Sequence, residues 1–237
     1  MAKRRILLLP GATRGDYPEY QEIYESIAQG ARKKFGIDGF DYFKAVYPGH
    51  CGRSSGLLSY NSALNAVMSY CREFKPNWII GSSLGGYVAI GALASEEDWV
   101  NEVEGAVVWG TSTKSSVADA FANDDAKQKQ VNKYSEKLYT FITPDFFDTF
   151  PDTEALIAKV KCNLRLSCGS ADHVGVKKQD LELLADIHRR AQPDYCSEVR
   201  EIVGLKHSVK SSDIAPALLS EYLDCLFSPF DNNSSNA

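Results

Sequence analysis

A short stretch in the first half of the chain restricts the fold more than any other part. Three bulky apolar residues, Trp78-Ile79-Ile80, run into Gly81-Ser82-Ser83-Leu84-Gly85, and an apolar stretch of mostly small residues extends from Tyr87 to Ala94. This order predicts a buried strand, a sharp turn and a helix, with Ser83 at the tip of the turn. Residues two before and two after such a serine come close together, and only glycine has no Cβ to clash there. The spacing G-x-S-x-G in this context is typical of a nucleophile elbow, which holds a reactive serine hydroxyl above a sheet. We expect Ser82 to pack locally.

Composition narrows the class of protein. A chain of 237 residues, 44% hydrophobic and 24% charged, suits one globular domain with a sizeable core. The net charge is −5 and there is no basic tract, so we expect neither nucleic acid nor an anionic membrane as a partner. The apolar run from Ile6 to Leu9 ends at Pro10-Gly11, which is too short for the core of a signal peptide, and no apolar run is long enough to span a bilayer.

Cysteine and histidine usage predicts a reducing compartment and no metal. The six cysteines are scattered without a C-x-x-C pair, so we interpret them as free thiols of a cytoplasmic protein. The four histidines stand far apart, and none has a partner at metal-ligand spacing. We therefore expect no metal site, and no cofactor is implied. The oligomeric state is left open.

Short apolar runs alternate with helical stretches along most of the chain. Strands are predicted at Arg4–Leu9, Phe40–Tyr47, Trp78 to the elbow, Glu104–Trp109, Cys162–Cys168 and Glu198–Val203. Helices are predicted at Pro18–Phe35, from Ser59 or Asn61 to Phe74, after the elbow, at Lys177–Arg190 and at Asp213–Phe227. This alternation predicts an α/β class protein with a doubly wound, mainly parallel sheet of about six strands in the order 2-1-3-4-5-6. Ligands of such sheets bind at the carboxyl ends of the strands.

Residues 111–160 interrupt this alternation. They are richer in charge and have helical periodicity, so we interpret them as a helical lid inserted in a single domain of residues 1–230, with residues 231–237 as a disordered tail. The lid is rich in bulky apolar residues: Tyr134, Leu138, Tyr139, Phe141, Ile142, Phe146, Phe147 and Phe150. Packing onto the sheet is the default interpretation, and the lining of an apolar substrate pocket is the alternative. Pro144-Asp145 suits a turn or a helix start. On a helix, adjacent Phe146 and Phe147 would point about 100° apart, so we expect one in the core and one in the pocket. Asp148, Asp152 and Glu154 are expected to be solvated.

Three further loops follow predicted strands. They are Pro48-Gly49-His50 with Arg53-Ser54, Gly169-Ser170-Ala171-Asp172, and Leu205-Lys206-His207. Together with the elbow, they resemble the α/β-hydrolase superfamily, of the small serine esterase or thioesterase type, across nearly all of residues 4–227. The order of serine, acid and histidine is also that of the superfamily. The resemblance implies the α/β-hydrolase fold and a catalytic triad of Ser83, Asp172 and His207.

The residues themselves support the same assignment. A serine hydroxyl needs a base within hydrogen-bond reach, and histidine titrates near neutrality. His207 follows the last predicted strand at the sheet edge of Ser83, and its alternative interpretation is a surface loop histidine. Asp172 would orient the imidazole, and its alternative is a loop-capping aspartate. His50 is the second candidate for the base, whereas His188, beside two arginines, is expected to be solvated.

Backbone N–H groups are expected to hold the oxyanion. Leu84 follows the nucleophile and should supply one donor. The second should come from the loop after the first strand, where the superfamily usually has His-Gly-apolar and this chain has Pro10-Gly11-Ala12. Because proline has no N–H, Ala12 is the expected donor and Gly11 the reserve.

Cys51 and Arg53 depart from, or add to, the loop of the superfamily. Cys51 is an extra residue before Gly52, and we favour a small buried side chain over a thiol that modulates activity. Arg53 either faces a substrate carboxylate or pairs with a neighbouring loop. Cys168, at the end of a predicted strand, is expected in the core.

These observations predict a cytoplasmic serine hydrolase that acts on a small molecule. It would cleave a carboxylic ester or thioester with an apolar acyl or alcohol part, through an acyl-enzyme on Ser83. An acyltransferase or a peptidase with the same triad is the alternative within this chemistry, because the pocket decides the acceptor. A non-catalytic ligand-binding module on the same fold is the alternative of another class, and the complete triad argues against it.

Overall fold

A computed structural model of the chain describes residues 4–12, 18–36, 40–50, 56–132, 140–172, 174, 176–207, 209 and 216–230. Several predictions concern residues outside these ranges. They are those for Cys51, Arg53, Tyr134, Leu138, Tyr139, residues 213–215 and the tail at 231–237.

A parallel sheet forms the centre of the molecule. Its strands are β1 (Arg4–Leu9), β2 (Phe40–Lys44), β3 (Trp78–Ser82), β4 (Gly105–Trp109), β5 (Asn163–Gly169) and β6 (Ser197–Ile202). They lie in the order β2-β1-β3-β4-β5-β6, and every described pair is parallel. The predicted strand order and sheet class are therefore confirmed.

Helices cover both faces of this sheet. They are α1 (Pro18–Phe35), α2 (Tyr60–Phe74), α3 (Leu84–Leu93), α4 (Lys114–Ala120), α5 (Asp124–Asn132), α6 (Thr153–Ile157), α7 (Lys178–Ala191) and α8 (Pro216–Phe227), with a 3₁₀ helix at Asp98–Glu102. One apolar core contains buried residues of α2, α3, α6 and α7, and a second core lies under α1 and α8. All ten residues of α3 are buried, which explains why its sequence is apolar on every side.

Local sequence signals determine where α2 begins and ends. Ser59 is the N-cap, and Ser59 and Ser62 each accept a hydrogen bond from the other's backbone N–H. Lys75 ends the helix in the left-handed conformation at φ 48°. Of the two predicted starting points, Ser59 is the one that caps the helix.

Strand β2 is shorter than its apolar pattern predicts. The expected end was Tyr47, but the last paired residue is Lys44, opposite Leu8. β2 is an edge strand whose only neighbour among the described strands is β1, and β1 ends at Leu9. Beyond that point the Tyr47 hydroxyl donates to the Pro10 carbonyl instead of extending the ladder.

The prediction that His188 is solvated is wrong. His188 lies on the buried face of α7 with Leu181, Leu184 and Ala185, at the spacing of one amphipathic stripe. Its side chain is fully buried, and its Nε2 lies 3.0 Å from the Val160 carbonyl oxygen. The adjacent Arg189 and Arg190 are exposed on another face of the helix, so they do not indicate whether His188 is buried.

A fully buried arginine ties the C-terminal segment to the sheet. Arg165 in β5 donates to Glu198 of β6 through Nε at 2.9 Å and forms a salt bridge with it through Nη2 at 2.8 Å. It also donates to the carbonyls of Cys225, Ser228 and Pro229. These contacts offset the large energetic cost of burying the guanidinium charge of Arg165.

Two further observations concern cysteines and membranes. The five described cysteines are free thiols, as predicted.

No helix in the described part of the chain is both long and apolar enough to cross a membrane.

Candidate active site

The turn at Ser83 has the strained geometry that its spacing predicts. Ser83 has φ 53° and ψ −119°, which is unusual for a residue with a Cβ. A Cβ on Gly81 would lie 2.5 Å from the Gly85 carbonyl oxygen, and one on Gly85 would lie 2.0 Å from the Leu9 carbonyl oxygen. Side chains are therefore excluded at both positions, and Ser83 stands between the end of β3 and the first turn of α3.

Two hydrogen bonds link Ser83, His207 and Asp172. His207 Nε2 lies 2.9 Å from Ser83 Oγ, and His207 Nδ1 lies 2.8 Å from Asp172 Oδ2. An ionised carboxylate only accepts, so Nδ1 carries the proton and the Nε2 lone pair faces the serine hydroxyl. The His207 and Asp172 side chains are 8% and 2% exposed, which shields this pair from water. The structure brings the three residues together, while the chemical roles predicted for them stay predictions.

The end of β4 holds both the serine and the histidine in place. The Trp109 carbonyl accepts from the Ser83 N–H at 2.7 Å, and the Trp109 indole donates to the His207 carbonyl at 2.9 Å. Gly110 follows with φ +64°, and a Cβ there would lie 2.9 Å from the imidazole carbon Cε1. The imidazole thus packs against bare backbone, a constraint that the sequence pattern did not reveal.

The loops after β5 and β6 are joined to each other. The Ala171 N–H donates to the Leu205 carbonyl at 3.0 Å, and the Gly204 N–H donates to Ser170 Oγ at 2.9 Å. Asp172 Oδ1 accepts from the Val174 N–H at 2.8 Å, so this aspartate also caps its own loop. Asp172 therefore makes both contacts that the sequence suggested: one to the imidazole of His207 and one that caps its own loop.

The two predicted oxyanion donors flank the serine. Leu84 is the first residue of α3, where backbone N–H groups have no partner within the helix. Ala12 lines the same cavity as Ser83, and a Cβ on the preceding Gly11 would lie 3.2 Å from Ser83 Cβ. This proximity agrees with the predicted donors, and their role stays a prediction.

A largely apolar cavity opens beside Ser83. About 550 Å³ of empty space lies in and around it, a figure that includes open solvent. The lining residues are Ala12, Ser83, Leu84, Tyr87, Gly110, Ser112, Ser116, Val117, Ala120, Phe121, Phe146, Phe147, Phe150, Val174, Val176 and His207. No lysine or arginine belongs to this lining among the residues that the structure describes.

Aromatic rings form one wall of the cavity. Phe147 stacks on Phe121 at 4.2 Å between ring centroids, and Phe146 meets both Phe147 and Phe150 edge to face. The expectation that Phe146 and Phe147 separate, one to the core and one to the pocket, is wrong: both are buried and both line the cavity. Residues 144–148 form turns instead of a helix, so the angle of about 100° between neighbours does not apply.

Other predicted candidates lie elsewhere. His50 is buried beside Tyr47, with ring centroids 5.3 Å apart, and it does not line the cavity. Cys168 lies in the core as expected, and burial raises the pKa of its thiol to about 11.

The three acidic residues expected to be solvated each make a contact. Asp148 is exposed and pairs with Lys127, exposed Asp152 caps α6, and half-buried Glu154 accepts from the Lys114 N–H. No cluster of three or more His, Cys, Asp or Glu suited to a metal ion exists among the described residues.

Polar residues that the sequence did not indicate lie in the lining of the cavity or bind to it. Tyr87 accepts a hydrogen bond from the Ser112 N–H at 2.9 Å, and burial raises the pKa of its phenol. Ser112 and Ser116 both donate to Asp180 of α7. The available signal was the run Thr111-Ser112-Thr113, which follows β4 at the same sheet edge as the other loops.

Comparisons with known proteins agree with this architecture. No protein-family model and no curated protein matches the sequence. Among solved structures, α/β hydrolase domain-containing protein 10 from mouse is 17% identical and matches with a TM-score of 0.62, over 92% of this chain and 86% of its own. A monoacylglycerol lipase from Paleococcus ferrophilus is 19% identical, with a TM-score of 0.62 over 94% of this chain and 93% of its own. The chain has the α/β-hydrolase fold.

A third similar structure belongs to an esterase. The Pyrococcus furiosus esterase is 18% identical, with a TM-score of 0.61 over 95% of this chain and 82% of its own. At these identities the likeness establishes the fold, and within that fold Ser83, Asp172 and His207 occupy loops at the carboxyl edge of the sheet.

Proposed function

We propose that this α/β-hydrolase-fold protein is a serine hydrolase that cleaves a carboxylic ester or thioester with an apolar acyl or alcohol part. The observation that carries the proposal is the chain of two hydrogen bonds from Asp172 through His207 to Ser83, which opens onto an apolar cavity. A base within reach of a hydroxyl, itself oriented by a third group, is the arrangement that activates a nucleophile.

The first half of the reaction forms an acyl-enzyme. His207 Nε2 takes the proton of Ser83 Oγ as that oxygen attacks the carbonyl carbon, and Asp172 stabilises the resulting imidazolium. The N–H groups of Leu84 and Ala12 donate to the oxyanion of the tetrahedral intermediate. The intermediate collapses by breaking the bond to the leaving oxygen or sulfur, and His207 returns its proton to that atom.

The second half releases the acid. Water enters, His207 Nε2 takes a proton from it, and the hydroxyl attacks the acyl carbon. The bond between that carbon and Ser83 Oγ breaks, and the proton passes back to the serine. The protein groups end as they began, so no cofactor is required.

The apolar cavity supports the substrate class. Its phenylalanine rings suit a hydrocarbon chain, and it holds no described cation for an anionic group. Esterase and monoacylglycerol lipase activities among the similar structures are consistent with this substrate class. We also propose that residues 111–160 act as a lid, since their aromatic residues contribute one wall of the cavity. Five described free thiols are in keeping with a cytoplasmic location.

A fluorophosphonate probe combined with an ester assay tests the proposal. The probe should label Ser83 and no other serine, and p-nitrophenyl butyrate should be hydrolysed, because only an activated hydroxyl reacts at neutral pH. Ser83→Ala should abolish both, whereas Ser82→Ala, its neighbour in the motif, should retain both. Partition of the acyl group between water and added alcohols or amines separates a hydrolase from an acyltransferase, and cleavage of p-nitroanilide peptides would indicate a peptidase. A folded protein with neither labelling nor turnover would favour a ligand-binding module.

A further inference from the structure

A polar cluster interrupts the apolar wall of the cavity. Ser112, after β4, and Ser116, in α4, both line the cavity beside phenylalanine rings. Ser112 Oγ lies 2.6 Å and Ser116 Oγ 2.7 Å from the same atom, Asp180 Oδ2, in the first turn of α7. Asp180 itself stands behind the two serines and outside the lining.

The hydroxyl protons of Ser112 and Ser116 are already used in hydrogen bonds to Asp180. An ionised carboxylate has no proton to donate, so both serines must donate to Asp180, and each hydroxyl has only one proton. Ser116 Oγ also accepts from Thr113 Oγ1 at 3.1 Å. Ser112 Oγ, which is buried, receives no hydrogen bond from any residue in the described ranges. The cluster therefore presents lone pairs, and no hydroxyl proton, to whatever enters the cavity.

Three carboxylates act on the phenol of Tyr87 at this end of the cavity. The pKa of Tyr87 is raised above its ordinary value mainly by burial, against the opposing hydrogen bond from Ser112, and further by Asp180, Glu154 and Asp172. Lys178 of the same helix is half-exposed and pairs with Glu182 at 3.5 Å. A negative potential favours cationic or neutral donors over anions.

We propose that the cavity selects substrates whose apolar part carries a hydrogen-bond donor, a hydroxyl or an ammonium, which binds to Ser112 and Ser116 in front of Asp180. This inference rests on the proposed function and deepens it, since it names the chemical class of the substrate. A carboxylate in the same position finds no proton to accept on Ser112 or Ser116 and is repelled by Asp180. The cluster thus determines specificity, and the Ser83–His207–Asp172 chain does the chemistry.

A purely structural role for the cluster makes a different prediction. Asp180 joins α4 to α7, and two hydrogen bonds to one carboxylate stabilise that contact. If this were its whole role, Asp180→Asn and Ser112→Ala would lower the melting temperature and leave the ratios between substrates unchanged. Substrate ratios therefore distinguish the two roles, whereas stability alone does not.

The experiment compares matched p-nitrophenyl esters whose acyl chains of four to eight carbons end in methyl, hydroxyl, ammonium or carboxylate. At the best chain length, kcat/KM for the hydroxyl and ammonium esters should exceed that for the carboxylate ester by at least about tenfold, the value of one good hydrogen bond. Ser112→Ala should remove most of the preference for hydroxyl over methyl. Asp180→Asn keeps an acceptor oxygen but loses the charge, so it should lower the ammonium-to-carboxylate ratio by about tenfold or more. Asp186→Asn, an exposed carboxylate of the same helix, is the matched control and should leave every ratio unchanged.

Wild-type protein alone suffices to overturn the proposal. Hydrolysis of all four ester classes at ratios that follow hydrophobicity only, or a preference for carboxylate, contradicts it even if the variants do not fold. If no ester is hydrolysed, the proposed function fails separately, and binding decides this inference. Hexylammonium or 1-hexanol should then raise the melting temperature more than hexanoate does, and equal or reversed shifts would refute the selection.

Discussion

His207 lies between its two partners at 2.9 Å from Ser83 Oγ and 2.8 Å from Asp172 Oδ2, so its substitution should affect chemistry more than folding. His207→Ala and Asp172→Asn should each lower kcat by about 10³-fold or more. The double variant should be little worse than His207→Ala, because residues that act as one unit have non-additive effects. Steady-state kinetics with p-nitrophenyl butyrate and a thermal melt of each variant test this.

His50→Ala is the control for the assignment of the base. His50 is buried beside Tyr47 and does not line the cavity, so its loss should lower stability with a small effect on kcat. Activity that survives His207→Ala and disappears in His50→Ala would show that His50, and not His207, is the base.

Residues at strand ends were predictable, and residues bound across distant elements were not. Ser83, Asp172 and His207 each follow a strand, and the carboxyl ends of parallel strands meet at one edge, so their proximity follows from topology. Asp180 is 68 residues from Ser112, and Arg165 is 60 to 64 residues from the carbonyls that it contacts. Nothing in the local pattern around either residue indicates such a partner, because an aspartate in a first helical turn is ordinary and a charged residue in a buried strand is merely unexpected.

At the scale of elements, strict periodicity predicted more than propensity did. The bounds of α2 and α7 fall within a residue of the expected ones, although the buried stripe of α7 was not recognised at His188. The segment 144–148 has no such period. Pro144-Asp145 suits a turn or a helix start, and the backbone bonds from Phe146 N–H to Thr143 and from Asp148 N–H to Asp145 show that it is a turn. The direction of Phe146 and Phe147 was therefore beyond what spacing alone predicts.

The aromatic wall of the cavity has both a packing role and a proposed binding role. Phe147 is 8% exposed, stacks on Phe121 and lines the cavity. Phe147→Ala should therefore cost up to about 3–5 kcal/mol of stability. It should also raise KM for an octanoyl ester by roughly tenfold, with a smaller change in kcat, because the apolar contact acts in ground and transition states alike. Urea unfolding and kinetics across acyl chain lengths measure the two effects.

Phe227→Ala is the matched control for this substitution. Phe227 is equally buried, but it belongs to the core under α8, on the other face of the sheet, and does not line the cavity. It should destabilise the protein to a similar extent without changing the preference for chain length. If both variants shift KM alike, the aromatic wall has no specific binding role.

At the scale of the whole molecule, the right-handedness of the crossovers and the covering of both sheet faces by helices made the strand order predictable. Apolar strands that alternate with helices require a parallel sheet covered on both faces, and right-handed crossovers leave few strand orders. The observed order β2-β1-β3-β4-β5-β6 is one of them. The same rules do not decide how far an edge strand extends or which polar side chains the two cores enclose. The end of β2 and the burial of His188 were therefore predicted wrongly.

Burial of His188 makes stability of the whole chain depend on pH. Burial lowers its pKa below the ordinary value of 6.5, the nearby Arg189 lowers it further, and the hydrogen bond to Val160 partly opposes this. The neutral ring donates from Nε2 to the Val160 carbonyl, and Nδ1 has no hydrogen-bond partner among the described residues. A proton on Nδ1 would therefore create a buried charge with no acceptor, whereas the unfolded chain accepts that proton freely.

The sign of the pH effect follows from these two states. Above pH 6.5 both states are neutral at His188, and stability is at its full value. As pH falls below that value, the unfolded state binds the proton first, so the free energy of unfolding should fall by up to about 1.4 kcal/mol per pH unit until the folded pKa is reached. His188→Gln keeps an N–H for the Val160 carbonyl and does not titrate, so its stability should change less between pH 7 and pH 5. Urea unfolding at half-unit steps in wild type, His188→Gln and His207→Ala separates His188 from the site histidine. Parallel curves for wild type and His188→Gln would show that His188 does not control acid stability.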